Sequence, residues 1–127
     1  MSARVVHFEI PYDDAERVRA FYSNVFGWEM TELPEMSYTL AMSGPSGDEG
    51  PTEPGYINGG MMQREEPFNA PNLVLDVENI EDALKAVNDA GGSTVSERQQ
   101  VGEMGFAAYF KDTEGNLVGL WESAPQG

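Results

Sequence analysis

The chain has 127 residues, of which 22 are Asp or Glu and only 7 are Lys or Arg, giving a formal net charge of −15 and a pI near 4.1. A field of that sign repels phosphate backbones and anionic lipid, so it argues against nucleic-acid and membrane-surface roles and favours cationic ligands. With no cysteine and one histidine, disulfide frameworks, Cys nucleophiles, tetrahedral zinc sites rich in N and S ligands, and a one-chain two-His-one-carboxylate iron site are excluded.

The length suits one domain over 1–127, burying roughly two thirds of its unfolded surface without staples. The opening MSARVV lacks the apolar core of a signal peptide, and no apolar run approaches the ~18 residues of a membrane span, so a cytoplasmic location is expected. Acidic residues run along the whole chain and Lys85 and Lys111 are the only lysines. This pattern fits a halophilic surface kept soluble at high salt, with ligand steering as the other explanation.

The stretch Val5 to Trp28 organises the first half. Val6, Phe8 and Ile10 alternate with Val5, His7 and Glu9, predicting a strand with one apolar face and one carrying a His/Glu pair. After Pro11, Asp13 is expected to cap a helix with Glu16 as the partner of a capping box. Ala15, Val18, Tyr22 and Val25 give its apolar stripe, and Gly27 stops it. Gly27 to Leu33 and Tyr38 to Met42 read as a hairpin around Pro34. Ser43 to Gly55 reads as a mobile loop, a lid over a site or disorder without function. Tyr56 to Arg64 returns to strand character, with Gly59-Gly60 marking a bulge or a close approach to the backbone.

The design then repeats. Leu73, Leu75 and Val77 give a strand face, Asn79 a cap, Ile80, Ala83, Leu84 and Val87 a helix stripe, and Gly91-Gly92 a stop. Aligning Asn72 with His7 places Leu73 under Phe8, Leu75 under Ile10, Ile80 under Ala15 and Gly92 under Gly27, the signature of a duplicated β-α module. Strands follow at Ser93 to Arg98, Gly105 to Lys111 and Asn116 to Glu122, with Asp112 to Asn116 as the last turn. The expected fold is α+β: two tandem βαβββ modules, about 4–64 and 71–122, forming a curved eight-stranded sheet around a cleft with helices outside.

His7 followed by its helix, Ala20-Phe21-Tyr22, Phe26-Gly27-Trp28, Gly91-Gly92 and the run Phe110 to Asn116 resemble the vicinal-oxygen-chelate superfamily of glyoxalases, bleomycin-resistance proteins and extradiol dioxygenases. The resemblance spans nearly the whole chain. It implies a small organic molecule as partner, a homodimer, and metalloenzymes that take one ligand from the first strand of each module and one from the last. His7 matches the first of these positions. Asn72 stands where the second module usually offers His, Gly119 where the last strand usually offers Glu, and the fourth position falls near Gly59-Gly60. No cofactor is therefore expected, unless His7 and Glu9, with Asn72, weakly hold a divalent ion such as Mn²⁺ or Mg²⁺.

The candidate catalytic residues are His7 and Glu9: a histidine titrates nearest neutrality, and Glu9 is expected to raise its pKa and orient it. Tyr38, Gly60, Met62, Asn72, Tyr109 and Trp121 are the candidate ligand-binding residues. By alternation Trp121 shares a face with Gly119, whereas Glu122 lies on the other and is not counted as a ligand. The expected activity is binding of a small molecule without the usual metal chemistry. The alternatives are a glyoxalase-like lyase or isomerase using His7 and Glu9, and sequestration of a cationic drug in an acidic aromatic groove.

Overall fold

A computed structural model describes residues 2–48 and 50–125. Its elements are β1 (Arg4–Tyr12), α1 (Ala15–Phe26), β2 (Glu29–Leu33), β3 (Tyr38–Met42), the short β4 (Ser46–Gly47) and β5 (Gly50–Pro51), and β6 (Asn58–Gln63). Then follow β7 (Asn72–Asp76), α2 (Ile80–Asp89), β8 (Ser93–Val101), β9 (Gly105–Lys111) and β10 (Leu117–Ser123). The protein is α+β and carries the βαβββ order twice, as the sequence predicts, with a small hairpin added to the first copy. Residues 7–71 make one compact unit, and residues 72–125 with the start of β1 make a second.

In the first unit the strand order is β2-β3-β6-β1. β1 runs parallel to β6 in an unbroken register from His7 opposite Asn58 to Tyr12 opposite Gln63, and β3 is antiparallel to both β2 and β6. The strand continues through Pro11 to Tyr12, so the helix cap moves one residue beyond the expected Asp13. Asp13 is instead bound to Arg64 Nε at 3.0 Å. Asp14 is extended and accepts from the Arg17 N–H at 3.0 Å, which moves Glu16 out of capping-box spacing. Gly27 closes α1 at φ +73°, its N–H donating to Ser23 O.

Of the two readings of Gly59-Gly60, the close approach holds and the bulge does not, since the register with β1 is unbroken. The two glycines let a ring cross the sheet on each face: a Cβ at Gly59 would collide with the Phe8 ring, and one at Gly60 with the Tyr38 ring and hydroxyl. Phe8 then stacks towards Trp28 at 5.4 Å between centroids, and Trp28 lies on Tyr22 of α1 at 4.7 Å. This aromatic chain fastens α1 to its sheet, each pair adding about 0.5–1.5 kcal/mol beyond simple burial.

The segment read as a mobile loop is tied down at several points. β4 pairs with β5, Ser43 Oγ donates to Ile57 O at 2.7 Å, Asn58 Nδ2 donates to Ser46 Oγ at 2.7 Å, and the Tyr56 hydroxyl donates to Pro45 O.

In the second unit the order is β7-β10-β9-β8, with β10 parallel to β7 and antiparallel to β9. Ile80 and Leu84 of α2 pack on Ala108, Phe110 and Leu120, so even-numbered residues of β9 and β10 form the core on the α2 side. Burying one such side chain contributes roughly 1.5–3 kcal/mol. Asn79 caps α2 by accepting from the Asp82 N–H at 2.9 Å, as its spacing predicts. The last turn is held by Asp112, whose carboxylate accepts from the N–H groups of Glu114 and Asn116, with Gly115 at φ +84°.

Glu122 faces α2, as alternation predicts. Its carboxylate accepts from the Ile80 N–H at 2.9 Å and from Arg98 at 2.9 Å, while the Arg98 guanidinium lies 3.6 Å above the Phe106 ring. The anion therefore sits at the positive end of the helix. The hydrogen bond from Arg98 chiefly, and that from Ile80 next, hold its carboxyl below the usual glutamate value. A depressed carboxyl adds stability that is present above the unfolded pKa of about 4.3 and is lost as pH falls through the lower folded value. We expect Glu122→Gln to be less stable than the parent near pH 7 in urea unfolding, with the difference closing below about pH 4. A difference independent of pH would assign the loss to packing.

Candidate functional site

The polar face of the first unit is built on β1, β6 and β3. His7 and Glu9 point to the same side of β1, opposite Phe8 and Ile10. Their partners on β6 are Asn58 and Gly60, and Tyr38 of β3 lies opposite Met62. Since Gly60 has no side chain, the Tyr38 ring passes over β6 and reaches β1.

There the Tyr38 hydroxyl donates to Glu9 Oε2 at 3.0 Å and lies 2.8 Å from His7 Nε2. A phenol has one proton; with that proton given to Glu9, its oxygen accepts from His7, which therefore carries hydrogen on Nε2. The neutral ring is then the Nε2–H tautomer, with its lone pair on Nδ1.

Glu9 is only 5% exposed, and the bond from Tyr38 is one of the interactions that hold it. A carboxylate so far from water requires such donors. Glu9 acts on His7 in the expected direction, raising its pKa, but burial outweighs it. Burial lowers it below 6.5, and the attraction of Glu9 only partly offsets that. The imidazole is accordingly neutral at pH 7, able to accept a hydrogen bond or a proton at Nδ1.

The first unit thus brings together five of the predicted residues: His7, Glu9, Tyr38, Gly60 and Met62. In the second unit Asn72 on β7, Tyr109 on β9 and Trp121 on β10 lie on the sheet face away from α2, with Gly119 opposite both Val74 and Tyr109. Asn58 was not anticipated. It stands opposite His7 and fixes the β4–β5 segment by accepting from the Ser43 N–H and donating to Ser46. Nothing in its local sequence distinguishes it, because its role depends on strand register.

An open groove of about 660 Å³ lies on the α1 side, between α1 and β2, and contains the Arg19–Glu32 ion pair. It is on the sheet face opposite His7.

Among the described residues no three His, Cys, Asp or Glu side chains converge, and His7 Nε2 and Glu9 Oε2 both address the Tyr38 hydroxyl.

His7 is the sole histidine, so its Cε1–H proton resonance can be followed without assignment. We expect it to titrate below pH 6.5, with the stability linked to it present above about pH 6.5 and declining as pH falls towards the lowered folded value. Titration at or above 6.5 would mean that Glu9 outweighs burial.

Comparison with known proteins agrees with this architecture. The family described as bleomycin resistance protein-like N-terminal matches residues 4–45. A lactoylglutathione lyase of Salmonella typhimurium is 29% identical over 130 residues, covering 98% of this chain and 96% of that protein. Among solved structures, a glyoxalase/bleomycin resistance protein/dioxygenase superfamily member from Vibrio splendidus superposes with a TM-score of 0.62 at 20% identity, over 96% of this chain and 99% of that one. A Streptomyces coelicolor methylmalonyl-CoA epimerase, in complex with 2-nitronate-propionyl-CoA, gives 0.65 at 16% identity, over 98% and 100%. Together with the duplicated βαβββ order, these matches show that the chain shares the fold of the glyoxalase/bleomycin resistance protein/dioxygenase structures and is similar in sequence to a lactoylglutathione lyase.

Proposed function

We propose that this protein binds a small organic molecule at the His7–Tyr38–Glu9 face and does so without a resident divalent metal. The observation that carries the reading is the hydrogen-bonded chain from His7 through Tyr38 to Glu9. It holds a neutral imidazole in one orientation and leaves the Nδ1 lone pair for a donor on the ligand. Met62 and Leu40, opposite Tyr38 and Gly60, supply apolar contact beside this polar centre.

The ligand class follows from charge. A net −15 attracts cationic groups and repels anions, so a cationic molecule with an N–H or O–H donor suits the face best. Sequestration of a cationic drug is one form of this reading, and the match to the bleomycin-resistance family supports it.

A second reading is a lyase or isomerase in which His7 Nδ1 takes a proton from the substrate. The lactoylglutathione lyase relative and the neutral state of His7 favour it.

The test is a screen of cationic aromatic compounds by calorimetry, together with turnover assays on lactoylglutathione, for the parent, His7→Ala and Tyr38→Phe. Binding should weaken at least about tenfold in His7→Ala, the loss of one hydrogen bond to a buried partner, and should fall with added salt. Compounds that bind equally well to the His7→Ala protein would refute a role for this face. Turnover that disappears in His7→Ala while the fold persists would select the enzymatic reading.

A further inference from the structure

Between β3 and β6 the chain makes a detour that a plain hairpin would not need. The two strands are antiparallel neighbours, yet the chain leaves the sheet after Met42 and returns only at Asn58. The register of β6 on β1 puts that return point opposite His7, so the detour starts and ends at the His7 end of the polar face.

Asn58 decides where the detour lies. Paired residues of parallel strands present their side chains to the same face, so Asn58 stands beside His7. Its Oδ1 accepts from the Ser43 N–H at 3.1 Å, and its Nδ2 donates at 2.7 Å to Ser46 Oγ, whose own proton goes to Gly44 O at 3.0 Å. The 43–46 turn is thereby drawn onto the face that carries His7. Behind it the Tyr56 ring packs on Gly44, where a Cβ would come within 2.7 Å of the ring. Pro45 O accepts from the Thr52 N–H at 3.1 Å and from the Tyr56 hydroxyl.

The residue type matters, because the two bonds run in opposite directions. A carboxylate at position 58 would accept from Ser43 but has no proton for Ser46, and a hydroxyl is too short to span both. An amide serves both partners at once.

We propose that Asn58 is a positioning residue of the candidate site, pinning the 43–46 turn as a wall beside the His7 imidazole that limits how water and ligand reach the ring. This rests on the reading of the His7–Tyr38–Glu9 face as the binding face and adds the element that encloses it. Burial is the larger influence on the protonation of His7, as a wall at this position requires. The titratable groups beside the ring are Glu9 on β1 and Tyr38 on β3, whereas β6 contributes the neutral Asn58 and Gly60.

Two variants separate this role from simple loop anchoring: Asn58→Leu removes both bonds, and Ser46→Ala removes one while keeping Asn58. His7 is the sole histidine, so its carbethoxylation by diethyl pyrocarbonate at pH 7.5 reads access to the ring. The titration of its Cε1–H resonance and the hydrogen exchange of the Ser43 amide complete the set. In Asn58→Leu the Ser43 amide should exchange, and His7 should react, about tenfold faster than in the parent, while the β6 amides stay protected. The His7 titration should move up towards 6.5 as water returns to the ring. Ser46→Ala should move all three readings the same way by less, and it decides alone if Asn58→Leu fails to fold.

Exchange of the Ser43 amide as slow in both variants as in the parent would show that Asn58 does not hold the turn. Faster exchange with His7 reactivity and titration unchanged would make Asn58 a loop anchor with no effect on the site. Either result overturns the proposal. No ligand enters these measurements, so failure of every cationic compound in the His7→Ala screen would refute the small-molecule reading without altering them.

Discussion

The absence of a side chain at position 60 holds the polar face of the first unit together. Strands lie about 4.8 Å apart, so a residue on β3 meets β1 only by crossing the whole width of β6. Gly60 opens that path: the Tyr38 ring lies over it, and its hydroxyl arrives between His7 and Glu9. Any larger residue there would have to push the ring away. Gly59 does the same on the opposite face for Phe8, which leads through Trp28 to α1. Two adjacent glycines thus serve both the packing of the helix and the ordering of the candidate site.

The chemistry of the face follows from counting protons. Glu9 is buried and needs donors, Tyr38 has one proton to give, and His7 must then give one of its own to the Tyr38 oxygen. Burial keeps His7 neutral, so the proton it gives lies on Nε2 and the unshared pair on Nδ1. In the second unit the corresponding first-strand position carries Asn72, a neutral residue with one donor and one acceptor group.

Much of the fold could be read from the sequence because it is written in local chemistry. Alternation fixed the faces of β1 and β10, Gly27 marked the end of α1 and Asn79 the start of α2, and the Asp112 turn was evident from its residues. Errors occurred where a distant partner decided the outcome. Asp13 is a reasonable cap by itself, but Arg64 takes its carboxylate and Asp14 does the capping. Gly59-Gly60 left a bulge and a close approach both open, and two aromatic rings from other strands decide for the close approach. His7 and Glu9 were recognisable as a pair, whereas the bridging role of Tyr38 was not, since it depends on registers across three strands. The depressed pKa of His7 likewise reflects burial by residues far apart in sequence.

The most direct test is the tautomer of His7, read from long-range ¹⁵N–¹H correlations of the imidazole at pH 7.5. Donation from His7 to Tyr38 and from Tyr38 to Glu9 predicts a protonated, pyrrole-like Nε2 and a bare, pyridine-like Nδ1, a pattern that should weaken in Tyr38→Phe. A bare Nε2 with the proton on Nδ1 would contradict it: Tyr38 would then donate to His7 rather than to Glu9, and the acceptor assigned to the ligand would not exist.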